Sequence, residues 1–247
     1  MSDVLDKMIS EMPVVIFAGG KGINLGKNGE IIPKPMVEIN GTPILKSIME
    51  IYANAGLNNF IICTGAGGEM IKRFIPLLPK QWKVSVVETG NNSMTGSRLA
   101  QAESLLSKHP AFCLTYGDTI SDINIRDVIA FHMNHKRTAT LLAVHAPIRF
   151  RILGLRDDDD QIKGLSDKPV LEKDYINGGF YVINNGIFKS PKLSTDPKCV
   201  LETDVLEDLI SKKEVFAYRY NGYWQYLDND RDRQKLSEHF ILRGQGK

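Results

Sequence analysis

A glycine-rich segment directly follows the first strongly apolar run of the sequence. The run is PVVIF, residues 13–17, and the segment after it is AGGKG, residues 18–22. Glycines allow backbone N–H groups to approach an anion closely, so such a loop can hold a phosphate. The spacing does not match a dinucleotide-binding loop, because Leu25 stands at the third glycine position, and the Gly-Lys-Ser/Thr of a Walker loop is missing. A phosphate loop and a plain strand-exit turn are both compatible with these residues.

A lysine between two prolines follows the glycine-rich segment. Pro33 and Pro35 argue against a helix that continues from the loop, because proline lacks the N–H of an internal helical hydrogen bond. The chain can instead fold back and return Lys34 to the loop as a point charge for a phosphate. An ordinary surface lysine is the alternative interpretation.

Two aspartates stand just past apolar runs, at positions suited to a metal ion. Asp118 follows the run at 112–116, and Asp228 follows WQYL at 224–227. Mg²⁺ bound to a nucleotide takes one or two protein carboxylates together with phosphate oxygens and water. The sequence therefore predicts that Asp118 and Asp228 share one Mg²⁺. A turn or helix N-cap is the alternative role for Asp118.

The elements that must position these residues alternate along the first half of the chain. Continuous apolar runs at 13–17, 60–63, 84–87 and 112–116 indicate strands buried on both faces, as in a parallel sheet. Apolar residues at helical spacing lie between these runs. The pattern predicts an α/β fold with a doubly wound, mostly parallel, Rossmann-like sheet. Ligands bind at the carboxyl ends of the strands in such sheets, which is where the glycines and Asp118 stand.

The second half of the chain predicts a mixed sheet within the same domain. Residues 140–144, 180–183 and 216–220 read as strands, and 152–156 with 162–166 as an antiparallel pair. The run Asp157–Asp160 between that pair is interpreted as a solvated turn. We predict a short N-terminal leader at 1–12 and a single domain at 13–247. The alternating part of this domain spans about 13–135 and the mixed-sheet part about 136–247.

Composition excludes several classes of function. The net charge is +2, which gives no electrostatic case for nucleic acid or an anionic membrane as partner. No apolar run approaches the roughly 20 residues that span a bilayer. The N-terminus carries acids and lacks the apolar core of a signal peptide, so we expect a cytoplasmic protein. The three cysteines are odd in number and far apart, which is typical of free thiols in a reducing compartment.

An ordered set of motifs resembles the nucleotide-sugar pyrophosphorylases, also called sugar-phosphate nucleotidyltransferases. The motifs are AGGKG at 18–22, KPMVEI at 34–39, GTPIL at 41–45, TGNNSMTGSRL at 89–99, TYGD at 115–118, DKP at 167–169, INGGF at 176–180, and WQ at 224–225 with Asp228. The stretch at 89–99 resembles the glucose-1-phosphate cytidylyltransferase branch in particular. The resemblance implies the nucleotidyltransferase fold, with a nucleotide-binding half at about 13–135 and a sugar-phosphate-binding half at about 136–247. It also implies Mg²⁺ as cofactor, and CTP and a sugar 1-phosphate as partners. A homo-oligomer is compatible with it.

The resemblance also implies roles for the matching residues. The triphosphate would be held by Ala18, Gly19, Gly20 and Gly22, with Asn24 in the same loop. The pyrimidine nucleotide would be recognised by Thr89, Gly90, Ser93, Arg98 and Gly117. The catalytic residues would be Lys34, Lys21 and Asp118, and the metal ligands Asp118 and Asp228. The sugar phosphate would contact Lys168, Asn177 and Gly178.

Three departures from the family pattern keep alternatives open. Ile23 and Asn24 stand where the family loop has threonine and arginine, so a phosphate-clamping guanidinium is replaced by a short neutral side chain. Asp167 replaces a glutamate, and the segment between 74 and 84 lacks a long insertion. The alternatives are a nucleotide- or sugar-binding homologue with little catalysis, and a cytidylyltransferase with a different phosphorylated acceptor. Leu25 and Pro33 argue against a nicotinamide-dependent oxidoreductase.

Overall fold

A seven-stranded sheet with helices on both faces forms the centre of the molecule. The computed structural model describes residues 2–20, 22–24, 31–145, 152–156, 159–166 and 174–244. The strands are β1 Pro13–Ala18, β2 Ile23–Asn24, β3 Ile31–Ile32, β4 Glu38–Ile39, β5 Thr42–Pro43, β6 Asn59–Thr64, β7 Lys83–Glu88, β8 Ala111–Tyr116, β9 Thr119–Ser121, β10 Ala139–Val144, β11 Ile152–Arg156, β12 Asp159–Ser166, β13 Ile176–Asn184, β14 Val215–Tyr220 and β15 Trp224–Tyr226.

Eight α-helices accompany these strands in the described part of the chain. They are α1 Ser2–Glu11, α2 Ile44–Ala53, α3 Gly68–Phe74, α4 Thr95–Gln101, α5 Glu103–Leu106, α6 Ile125–His135, α7 Glu207–Ser211 and α8 Asp230–Gly244. Short 3₁₀ turns lie at Lys34–Met36, Ile75–Leu77 and Asn185–Lys189, and a π-helix at Leu201–Leu206 leads into α7. No helix among these residues is long and apolar enough to span a bilayer.

The strand order of the central sheet is β14-β10-β13-β8-β1-β6-β7. Strands β8, β1, β6 and β7 run parallel to one another, as do β10 and β14. Only β13 is antiparallel to both of its neighbours in this sheet. The prediction of a doubly wound, mostly parallel α/β sheet is therefore confirmed. Because β8 pairs with β13, the sheet continues from the predicted nucleotide half into the predicted sugar-phosphate half.

The reversed direction of β13 decides which of its ends reaches the ligand edge. Asn177 pairs with Ala143 near the carboxyl end of β10, and Phe180 pairs with Thr115 near the carboxyl end of β8. The amino end of β13 therefore lies where its parallel neighbours end. This brings Asn177 to the same edge of the sheet as the glycine-rich loop.

Two apolar layers cover the faces of the sheet. Val14 and Ile16 of β1 pack into the layer that contains α2, while Val15 and Phe17 pack into the layer that contains α4. Alternate side chains of a strand point to opposite faces, so a strand buried on both sides reads as a continuous apolar run. The apolar run of β1 is explained in this way.

Two expectations from the sequence differ from the structure. The apolar run at 84–87 belongs to β7, which is an edge strand rather than one buried on both faces: Lys83, Ser85 and Glu88 are exposed. The segment predicted as a leader contains α1, and both Ile9 and Met12 are buried against the sheet. Its apolar residues at helical spacing were the available signal.

The acidic run in the second half lies only partly in the described residues. β11 and β12 pair antiparallel, which confirms the predicted pair. β12 begins at Asp159, so the predicted turn is wrong for Asp159 and Asp160, which belong to a strand. Asp157 and Asp158 lie outside the described residues, so their interpretation as a solvated turn stays a prediction.

Candidate active site

A cleft of about 390 Å³ opens at the edge of the sheet where β1 and β8 end. Among the described residues it is lined by Phe17, Ala18, Gly19, Gly20, Gly22, Lys34, Pro35, Thr95, Arg98, Tyr116, Gly117 and Asp118. Eight of these are residues that the sequence assigned to phosphate, nucleotide or metal binding. The cleft is thus the place where the separate sequence motifs meet.

The glycine-rich loop approaches other groups too closely for larger residues. A Cβ atom on Gly19 would overlap the guanidinium of Arg98. Gly22 has φ +74, a left-handed conformation that glycine adopts at no steric cost. The two glycines therefore shape the loop in different ways, one by making room for a cation and one by turning the chain.

Arg98 is a buried cation beneath this loop. The residue is only 3% exposed. Its Nη1 donates hydrogen bonds to the carbonyl oxygen of Thr64 at 3.2 Å and to the hydroxyl of Thr89. No carboxylate in the described part of the chain forms an ion pair with it. Burial lowers the pKa of Arg98, as expected for a charge that has lost its hydration. A ligand acceptor or anion in the cleft would supply the missing partner.

Lys34 lies on the opposite wall and holds two carboxylates. A 3₁₀ turn at Lys34–Met36, with Pro33 before it, turns the side chain into the cleft. Nζ is 3.1 Å from Oδ2 of Asp118 and 3.1 Å from Oδ1 of Asp228. Partial burial lowers the pKa of Lys34, but the two carboxylates outweigh it and raise the pKa above its usual value. The ammonium is therefore charged at neutral pH.

The pairing of two short strands brings Asp228 to Asp118. β15 is antiparallel to β9, with Tyr226 opposite Thr119. The backbone N–H of Leu227 then donates to the carbonyl oxygen of Asp118 at 2.8 Å. The two aspartates, distant in sequence, end up around one cation.

The two carboxylates also suit a divalent metal ion. They already converge on a single positive charge, the Lys34 ammonium, so the space between them accepts a cation. No group of three or more His, Cys, Asp and Glu side chains that could hold a metal occurs among the described residues. A pair of carboxylates completed by phosphate oxygens and water is the donor set that nucleotide-bound Mg²⁺ takes.

The residues predicted to read the pyrimidine lie beside the cleft. Thr89, Gly90 and Ser93 line an adjoining depression of about 460 Å³, together with Gln101. Ser93 Oγ and Gln101 Nε2 both donate to the carbonyl oxygen of Thr89, which holds the turn in shape. Of the predicted pyrimidine-binding residues, the structure places Arg98 and Gly117 in the cleft and these three next to it.

The predicted sugar-phosphate residues are described in part. Asn177 is exposed at the amino end of β13, and the carbonyl oxygen of Gly178 accepts a hydrogen bond from Trp224 Nε1 at 2.8 Å. Lys168 and Lys21 lie outside the described residues. The backbone of Asn24 pairs with Ile31 in the β2–β3 ladder.

The sequence did not single out several residues that line the cleft. Thr95 and Tyr116 contribute to its wall, and both hydrogen-bond to Glu202. The available signal for Tyr116 was its position at the end of a strand, directly before Gly117. Glu202 carried no such signal, because the π-helix that presents it comes from a distant part of the chain.

Comparisons with known proteins show which family the chain belongs to. The sequence profile of the Nucleotidyl transferase family matches residues 13–228. Glucose-1-phosphate cytidylyltransferase of Salmonella typhimurium is 35% identical, with 91% of this chain and 94% of that protein covered. Probable glucose-1-phosphate cytidylyltransferase of Bacillus subtilis is 32% identical, with 88% and 91% covered. The crystal structure of HddC from Yersinia pseudotuberculosis shares the fold, with a TM-score of 0.69, 24% identity, and 93% and 99% of the two chains covered. The chain therefore belongs to the nucleotidyltransferase family.

Proposed function

We propose that this chain transfers a cytidylyl group from CTP to a sugar 1-phosphate, giving a CDP-sugar and pyrophosphate. The observation that carries this proposal is the cleft itself, in which a glycine-rich loop, the buried Arg98 and the Lys34–Asp118–Asp228 cluster face one space. The relatives named above, which are glucose-1-phosphate cytidylyltransferases, support CTP as the donor and make glucose 1-phosphate the first acceptor to test.

The nucleotide side of the cleft would bind CTP mostly through backbone groups. The triphosphate would lie along Ala18, Gly19, Gly20 and Gly22, whose N–H groups a phosphate can approach closely. Arg98 can only donate hydrogen bonds, and it has no carboxylate partner among the described residues. It would therefore serve an acceptor atom of the nucleotide, with Thr89, Gly90 and Ser93 shaping the pocket around the base and Gly117 lining it.

The charged cluster would act on the reacting phosphates. Asp118 and Asp228 would hold Mg²⁺, which as a bound ion supplies a template and Lewis acid for phosphate oxygens. Lys34 shares these carboxylates in the free protein, so its ammonium already stands at the place where phosphate charge would gather. Lys21 and Lys168 would add further positive charge to the leaving and accepting phosphates.

The reaction needs no covalent enzyme nucleophile. An oxygen of the sugar phosphate would attack the α-phosphorus of CTP, and the bond to pyrophosphate would break. The chain would contribute by aligning the two substrates and by neutralising charge as it develops. Asn177 and Gly178 would hold the sugar 1-phosphate on the opposite side of the cleft from the glycine loop. We propose that this chemistry takes place in the cytoplasm, between soluble small molecules. Assembly of the chain into a homo-oligomer stays a prediction.

One feature favours a second candidate, a binding protein with little or no catalysis. Asn24 replaces the arginine of the family loop, and an uncharged side chain cannot neutralise the leaving pyrophosphate. Loss of such a contact costs on the order of 10³-fold in rate. The two candidates differ in turnover and agree in CTP binding.

A pyrophosphate-release screen separates these candidates. CTP, UTP, ATP and GTP are each incubated with glucose 1-phosphate and with other sugar 1-phosphates, and the nucleotide sugar is identified by mass spectrometry. We expect release with CTP and a sugar 1-phosphate, loss of release in Lys34→Ala, and faster release in Asn24→Arg. CTP binding without release from any pair would favour the binding protein, and tighter binding of ATP or GTP would contradict the assignment of CTP.

A further inference from the structure

A row of hydrogen-bonded side chains runs from the wall of the cleft to the amino end of β13. Asn177 donates from its amide nitrogen to the hydroxyl of Tyr181. The hydroxyls of Tyr181 and Tyr116 lie 2.9 Å apart, and their rings pack edge to face with centroids separated by 6.0 Å. Tyr116 in turn donates to Oε1 of Glu202, and Thr95 donates to Oε2 of the same carboxylate. We call these five residues the Asn177–Glu202 row.

The carboxylate fixes the direction of every hydrogen bond in the row. As a carboxylate, Glu202 can only accept hydrogen bonds, so Tyr116 must donate its single hydroxyl proton to it. Tyr116 is then an acceptor for Tyr181, and Tyr181 is an acceptor for Asn177. Burial raises the pKa of Tyr181 to about 12, so its hydroxyl keeps the proton at neutral pH. In each hydrogen bond between Asn177 and Glu202, the donor is therefore the residue nearer to Asn177 along the row.

The backbone imposes the same orientation on Asn177 from its other end. The N–H of Gly179 donates to Oδ1 of Asn177 at 3.0 Å. An N–H group cannot accept, so the amide oxygen must face Gly179 and the amide nitrogen must face Tyr181. The amide nitrogen carries two hydrogens, and Tyr181 takes one of them. The other has no acceptor among the described residues and is left for a ligand, since Asn177 is exposed.

The row also connects the cleft with the amino end of β13. Tyr116 and Thr95 line the cleft beside Arg98, whereas Asn177 lies at the amino end of β13. Tyr181 itself is only 1% exposed and cannot reach a ligand. Tyr181 can thus influence an acceptor only through the groups that it holds.

We propose that Tyr181, Tyr116 and Glu202 are positioning residues that orient the Asn177 amide so that one N–H serves an oxygen of the acceptor. The inference rests on the proposed function, which puts a sugar 1-phosphate beside Asn177. It goes beyond that function by assigning the orientation of the acceptor-binding amide to three residues other than Asn177 itself.

Substitutions that interrupt the row test this role. Tyr181→Phe removes the acceptor of Asn177, and Glu202→Gln removes the group that fixes the direction of the row. Each should raise the KM for glucose 1-phosphate about tenfold, as expected when a hydrogen bond is left unmade, and change the KM for CTP by less than about twofold. Tyr52→Phe is the matched control, because it removes one hydroxyl from a fully buried tyrosine in the other apolar layer. The control should leave both KM values unchanged.

A second readout follows the amide itself in the free protein. The side-chain amide signal of Asn177 is recorded by NMR in ¹⁵N-labelled protein and assigned by its absence in Asn177→Asp. It should shift in Tyr181→Phe and Glu202→Gln, stay in place in Tyr52→Phe, and shift in the wild type when glucose 1-phosphate is added. A purely structural role would instead raise the KM values for both substrates equally.

The outcomes separate this inference from the proposed function. The positioning role is overturned if the amide signal does not shift in either variant. It is also overturned if the KM values for glucose 1-phosphate and CTP rise equally. The positioning role is also overturned if the wild type releases pyrophosphate with glucose 1-phosphate but the Asn177 signal does not shift when that ligand is added. In that case the proposed function stands. If no sugar 1-phosphate supports release, the proposed function fails, and the amide titration with glucose 1-phosphate alone decides the positioning role.

Discussion

The two sides of the cleft are built in different ways. On the nucleotide side, the ends of β1 and β8 present backbone and glycines, and the buried Arg98 is held by a main-chain carbonyl. On the proposed acceptor side, the group that we propose to face the ligand is the side chain of Asn177, which depends on other side chains for its orientation. A backbone site is fixed once the strands pair, whereas a side-chain site needs a further set of partners. We therefore expect the nucleotide side to tolerate the loss of distant side chains better than the acceptor side.

The largest effect is expected where the two sides meet. Asp118→Asn should lower the rate of pyrophosphate release by about 10³-fold, because it removes one of the two carboxylates that face the cation site. Stopped-assay measurement of pyrophosphate with saturating substrates checks this. Asp127→Asn, on the exposed face of α6, is the control and should keep the wild-type rate. A fully active Asp118→Asn would remove the charged cluster from the mechanism.

Replacing Arg98 should affect the nucleotide side alone. Arg98→Met should weaken CTP binding about 100-fold and leave glucose 1-phosphate binding unchanged, since the guanidinium is a buried donor in the cleft that has no carboxylate partner among the described residues. The free protein should stay within about 1 kcal/mol of the wild-type stability, because a buried charge without a carboxylate partner contributes little to folding. Calorimetry and urea unfolding measure the two quantities. Arg73→Met, at an exposed site on α3, is the control.

A glycine substitution tests whether backbone shape decides the nucleotide side. Gly19→Ala should destabilise the free protein by about 1–3 kcal/mol, since its Cβ would overlap the Arg98 guanidinium. Gly20→Ala is the matched control for stability, because a Cβ at Gly20 meets nothing within 4 Å. Equal stability of the two variants in urea would show that Arg98 moves aside freely.

The smallest effect concerns the strands that support the acceptor side. Burial lowers the pKa of His132, which hydrogen-bonds to Thr140 of β10 at 2.9 Å and to Asn184 of β13 at 3.0 Å. The unfolded chain then binds more protons in acid than the folded one, so this contribution is complete above the unfolded pKa of about 6.5 and is lost as the pH falls below it. The Tm should drop by a few degrees between pH 7.5 and 5.5.

The matching variant isolates that histidine. His132→Gln cannot titrate, so its Tm should depend less on pH over the same range, although its Tm at pH 7.5 is itself lower. Thermal unfolding followed by circular dichroism measures both. An identical slope in the variant and the wild type would assign the acid sensitivity to other groups.

Local patterns in the sequence determined much of this molecule. The continuous apolar runs of β1, β6 and β8 follow from burial on both faces, and the glycine-rich segment after β1 includes Gly22, whose left-handed backbone favours glycine. The same logic failed for β7, because an apolar run does not reveal whether a strand lies at the edge of a sheet. It also missed α1, because apolar residues at helical spacing are hard to see in a segment rich in acids.

Only the tertiary structure decided which distant residues meet at this edge of the sheet. The approach of Asp228 to Asp118 depends on the pairing of β15 with β9, and the position of Asn177 depends on the reversed direction of β13. The contact of Tyr116 with Glu202 likewise needs the π-helix to pack beside β8. The physical reason is that secondary structure follows from neighbouring residues, whereas strand order and side-chain partners follow from the packing of the whole chain.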